Sequence, residues 1–205
     1  MQNVLTCAHG RTPETTMRRA LGRAVGVGLV AVMLSAPAAS ADTNVCVAAN
    51  GAVRHAAGTA TCEANGTGSV AIAHGAGSTA AAVDGDRNHS HARGDESIAY
   101  TGGGDGNSAS ARGEEAYAGS GFGDGNAATA TGGYAYALAI EGDANTATAT
   151  GVGTFAGAGF GNENTALASA DGSHAQAGGG DGNTAIATSA GCTASAVGDG
   201  VSASC

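Results

Sequence analysis

Carboxylates return in this chain at one fixed spacing. Asp86, Asp105, Asp124 and Asp143 stand 19 residues apart, Asn162 takes the next place, and Asp181 and Asp199 continue the series. Oxygen ligands held one above another are what a calcium ion takes. Exposed carboxylates stacked at about 4.8 Å would also repel by on the order of 1 kcal/mol each, and a divalent cation would relieve that. The competing reading is that they are solvated turn aspartates, and it is preferred; a calcium ladder of Asp86, Asp105, Asp124, Asp143 and Asp181 is the alternative. Two imidazoles, His89 and His91, alternate on one short stretch, but with no third ligand in view no zinc site is expected.

Enzyme chemistry finds little footing. The chain after residue 41 holds no G-x-S-x-G, H-E-x-x-H or Walker pattern. Its repeated carboxylates are all alike, whereas acid and base catalysis needs two set apart by environment. A carbohydrate-active enzyme is a remote alternative, because no single unit departs from the pattern. The other candidate group is a column of large side chains at the same phase of the repeat, Ile98, Tyr117, Tyr136, Phe155 and His174, flanked by Tyr100 and Tyr134. A stripe of this kind reads as an interface in preference to a ladder of rings that only protects the sheet by cross-strand stacking, with self-association preferred over a foreign surface or matrix ligand.

The spacing itself identifies the elements that must hold these residues. The tetrapeptide GDGN occurs at 104, 123 and 180, with variants at 66, 85, 142, 161 and 198, so every unit is 19 residues except the last, which begins after 18. Such a period is the signature of a stacked repeat. Each tetrapeptide leads into strict alternation, as in Asn145-Thr-Ala147-Thr-Ala149, and a second alternating stretch keeps Ala80, Ala99, Ala118, Ala137, Ala156, Ala175 and Ala194 in one phase. Two short strands per unit with alanine on one face predict an all-β fold, a parallel β-solenoid of about seven coils with an alanine-lined interior. GDGN is then the corner: glycine for positive φ, Asp for an Asx-type turn, and Asn for a ladder from coil to coil. Phase conservation of this kind argues against a disordered chain of the same composition. Outward threonines such as Thr146, Thr148 and Thr150 raise ice binding as a remote option, weakened where the array gives way to His89, His91, Arg93 and Arg112.

Residues 1–41 are expected to be a leader. Arg18, Arg19 and Arg23 precede the apolar run Ala24 to Leu34, and Ala39-Ser40-Ala41 fits a signal-peptidase site, so cleavage is expected near Ala41. Residues 42–65 are expected to cap the solenoid of 66–205. Of 17 acidic and 8 basic residues, one acid and four arginines lie in the leader, leaving 16 against 4 and a formal charge near −12. That balance argues against nucleic acid and anionic lipid as partners. No other segment is long and apolar enough to span a membrane. Cys46, Cys62, Cys192 and Cys205 allow three disulfide pairings; Cys46 with Cys62 and Cys192 with Cys205 is preferred, because each pair sits where a one-dimensional stack would fray.

The stretch SVAIAHGAGSTAAAVDG from Ser69 to Gly85 resembles the head repeats of trimeric autotransporter adhesins, and later coils keep the A-x-A-x-G part, as in NTATATG at 145–151. The resemblance implies a left-handed parallel β-roll, a bacterial surface location, adhesion to matrix or cells, and three chains side by side. The 19-residue unit is longer than that of those heads, and no coiled-coil stalk or membrane barrel follows, so a secreted look-alike is expected rather than an autotransporter. The expected function is a secreted or cell-surface structural or adhesive protein without catalysis.

Overall fold

The computed structural model describes residues 44–205; the leader and cleavage site expected from the sequence lie outside them. The described residues form 18 β-strands and no helix. Starting at Thr61, strands alternate between two sheets. Sheet A takes β4 (Val70–His74), β6 (His89–Arg93), β8 (Ser108–Arg112), β10 (Ala127–Thr131), β12 (Thr146–Thr150), β14 (Thr165–Ala168), β16 (Thr184–Ala187) and β18 (Ser202–Ser204). Sheet B takes β3 (Thr61–Ala64), β5 (Thr79–Ala82), β7 (Ile98–Gly102), β9 (Tyr117–Gly121), β11 (Tyr136–Ile140), β13 (Phe155–Gly159), β15 (His174–Gly178) and β17 (Thr193–Val197). All these neighbours pair parallel, nearly every one offset by one repeat unit, which is the geometry of a β-solenoid. It has eight turns rather than about seven, because β3 pairs in parallel with β5 and so starts sheet B before the first tetrapeptide-like corner at Gly66.

Alternation of small and larger residues places one face of each strand inside. Ala109 and Ala111, Ala128 and Ala130, and Ala147 and Ala149 are at most 1% exposed, as are Ala99, Ala118 and Ala137 of the opposite sheet. The interior is therefore only a few methyl groups thick. Hydroxyls interrupt it in the early coils: Ser90 and Thr101 are buried and share a hydrogen bond of 3.0 Å, while the buried Ser120 hydroxyl has no partner.

A thin core of this kind leans on polar ladders. Asn88, Asn107, Asn126, Asn145, Asn164 and Asn183 are fully buried. Each Oδ1 from Asn88 to Asn164 accepts the backbone N–H of the Asn one coil later at 2.8–3.0 Å, and Asn183 does the same for Val201. From Asn88 to Asn164 the side-chain amide also donates to the corner glycine carbonyl of that later coil, at 2.8–2.9 Å. Bonds thus run from side chain to main chain, more than from amide to amide. The first glycine of the tetrapeptide completes the corner. At Gly142, with φ of 132°, a Cβ would run into the carbonyl oxygen of Gly161 in the next coil.

The two ends are stapled. Strand β1 (Val45–Ala49) forms a hairpin with β2 (Ala52–Ala57) and pairs antiparallel with β4, closing sheet A at its N-terminal edge. Disulfides join Cys46 to Cys62 and Cys192 to Cys205, with Cα separations of 5.5 and 6.1 Å. In the chain-entropy account, loops of this length contribute on the order of 3 kcal/mol each.

Candidate functional site

The outward face of sheet B collects the large side chains. Register places Ile98, Tyr117, Tyr136, Phe155 and His174 in one column along the solenoid axis, with Thr79 and Thr193 at its ends. Rings of Tyr117 and Tyr136 stack at 4.7 Å, those of Tyr136 and Phe155 at 5.6 Å, and those of Phe155 and His174 at 6.0 Å. Parallel strands one coil apart impose this spacing, and offset stacking of rings at 4.5–7 Å is favourable. Ring faces are turned to one another, so the column shows solvent mainly its ring edges. Ile98 and Tyr136 are 39% and 36% exposed.

Glycine makes room for the rings to lie along the strand. A Cβ at Gly119 would sit 3.1 Å from the Tyr117 ring, and one at Gly157 3.1 Å from the Phe155 ring. Beside the rings, a groove of about 260 Å³ runs over Gly157, Gly159 and Gly178. Leu138, Ile140, Phe160 and Val197 wall it, and Phe160 and Val197 are 62% and 63% exposed. Leu138 and Ile140 follow Tyr136 at steps of two, so period-2 reading of the same strand could have joined them to the site; Phe160 sits in a corner, where no strand pattern points to it.

Beyond Glu63 on β3, this face is electrostatically blank. No outward strand residue from Thr79 to Val197 carries a formal charge at neutral pH, in a protein of formal charge −9. Burial, with the neighbouring Tyr136 and Tyr100 adding to it, holds the Tyr117 hydroxyl above its ordinary value of 10.0. Tyr134, which stands in the corner with φ of 59°, is raised by the charge of Glu115 and a hydrogen bond to it.

The aspartate ladder joins the corners of successive coils. The Asp105 carboxylate accepts the backbone N–H of Asp86 at 2.8 Å, Asp124 that of Asp105, and Asp143 that of Asp124. Asn162 serves Asp143, Asp181 serves Asn162, and Asp199 serves Asp181. The series begins with Asp86, which accepts from Thr67. Each side chain therefore reaches back to the preceding coil, whereas the neighbouring Asn reaches forward. Stacked carboxylates face amide donors, which offsets the repulsion expected of a bare column. Among the described residues no three His, Cys, Asp or Glu side chains are grouped as metal ligands.

Sheet A presents another surface. His74, Arg93 and Arg112 share one column, with His89 and His91 beside them, and further along the sheet threonines take over. His91 is held below its ordinary pKa of 6.5 by burial and by Arg112, His74 and Arg93. No helix among the described residues is long and apolar enough to cross a membrane. Comparison with known protein families, curated proteins and solved structures finds no match to this chain.

Proposed function

We infer that this is an exported structural or adhesive protein without catalytic activity, and that the column Ile98, Tyr117, Tyr136, Phe155 and His174 is its attachment surface. The observation that supports this most is the pairing of a stacked ring column with a bordering apolar groove on a face whose strands carry no formal charge from β5 to β17. Exposed apolar surface so concentrated is characteristic of interfaces. Two disulfides suit an oxidising compartment, and the leader motif at residues 17–41 suits export.

The deciding experiment is light scattering coupled to size exclusion on the oxidised protein, together with Tyr136→Ser. A closed oligomer that Tyr136→Ser dissociates makes the column a seam between copies. A monomer whose attachment to cells or matrix is lost in Tyr136→Ser makes it a surface for a foreign ligand. If neither self-association nor attachment responds to the substitution, the reading fails. The calcium reading has weaker support, since one oxygen of every corner aspartate already accepts a backbone amide; a fall in thermal stability on adding EDTA would favour it.

A further inference from the structure

The geometry points to a partner of defined chemistry for the sheet B face: a second copy of this chain, packed face to face about a two-fold axis parallel to the solenoid axis. This rests on reading the ring column as an interaction surface, and specifies what it meets. The five-residue strands β7 to β15 give the face three lanes. The first carries the rings. The middle lane runs through Tyr100, Gly119, Leu138, Gly157 and Gln176, and the third through Gly102, Gly121, Ile140, Gly159 and Gly178.

Rotation about an axis along the middle lane exchanges the first and third lanes and leaves every coil at its own height. Tyr117, Phe155 and His174 of one copy then stand over Gly121, Gly159 and Gly178 of the other, and Tyr136 over Ile140. Phe155 and His174 lie on the same two coils as Gly159 and Gly178, so they enter the groove between Ile140 and Val197. Ridge and groove thus occur at matching levels, as an isologous contact requires. A two-fold axis along the strands would instead set ring column against ring column.

Charge selects the same face. Two copies carry identical net negative charge, and the corners hold the exposed carboxylates of Asp86, Asp105, Asp124, Asp143 and Asp181, while the strand positions of this face from β5 to β17 have none; the exception is Glu63 at its edge on β3, whose carboxylate accepts from the Asn65 amide. Sugar rings fit the column less well, because stacking on a sugar needs open ring faces and these are turned to one another at 4.7–6.0 Å.

Gln176 supplies the test. It is exposed, points outward, and lies on the middle lane, where the proposed axis sets it against itself. Light scattering on the full oxidised chain should give a dimer. Gln176→Glu and Gln176→Lys should each weaken self-association by about tenfold or more, because like charges meet, and an equimolar mixture of the two should restore the dimer. Unchanged circular dichroism would show both variants folded. A wild-type dimer indifferent to both substitutions, or one that the mixture fails to restore, overturns this arrangement, as does a trimer. A wild-type monomer whose attachment to a surface is lost in Tyr136→Ser overturns the dimer and leaves the attachment reading intact. A monomer with no such attachment overturns both.

Discussion

The two outward faces of this solenoid share one interior and have almost nothing else in common. Sheet A shows His74, His89, His91, Arg93 and Arg112 at one end, Thr129, Thr148 and Thr150 further along, and no Phe or Tyr on its parallel strands. Sheet B shows four stacked rings, Leu138, Ile140 and bare glycine, and no formal charge from β5 to β17. Behind both lies the same double row of alanines. Because side chains alternate along a strand, inward positions can be fixed by stacking while outward ones change freely. A repeat protein of this kind separates the residues that make the fold from those that give each face its chemistry.

A substitution in the shared interior should therefore erase both faces together. Ala118 is fully buried, and the interior has no space for three more carbons. Ala118→Leu should cost about 3 kcal/mol or more and lower the melting temperature by about 10 °C. A melting temperature equal to that of the parent would contradict the stacked interior.

The next largest effect distinguishes the two ladders of one corner. Asn126→Ala removes the acceptor of the buried Asn145 N–H and the donor to the Gly142 carbonyl, so it should cost about 3 kcal/mol. Asp124→Ala removes only the acceptor of the exposed Asp105 N–H, which water can replace, and should cost under about 1 kcal/mol. Denaturant unfolding of the two variants measures the difference. Equal losses would mean that the outward ladder carries as much of the stack as the inward one.

The sequence discloses these two ladders unequally, for a physical reason. Period and alternation report stacking, so the sheets, the alanine interior, the buried asparagines and the ring column were all legible. Both disulfides follow from the ends of the stack. Aspartate was harder to read, because its spacing reports its place in the corner but not whether the carboxylate meets an ion, water or an amide. The direction of its reach, back to the previous coil, depends on corner geometry. So does Phe160, which sits at a positive φ of 56° outside any strand and walls the groove. The eighth coil was missed because β3 carries no tetrapeptide before it, only alternation too short to stand out.

Titration offers the smallest test, and it separates the faces by pH. His91 on sheet A faces Arg112, His74 and Arg93 and is half-buried, so its folded pKa lies below 6.5. Above that value it is neutral whether folded or unfolded, and its contribution is complete. As pH falls below 6.5 the unfolded chain takes up a proton that the native state resists, and stability declines. Tyr117 on sheet B works in the opposite sense. Burial, with Tyr136 and Tyr100 adding to it, raises its folded pKa above 10.0, so its contribution is complete below about pH 10 and is lost as pH rises through the raised value. His91→Gln should flatten the acid limb of a plot of melting temperature against pH and leave the alkaline limb alone. Tyr117→Phe should do the reverse. If either substitution altered both limbs, the faces would be coupled through the alanine interior, and the separation of fold from surface chemistry would not hold.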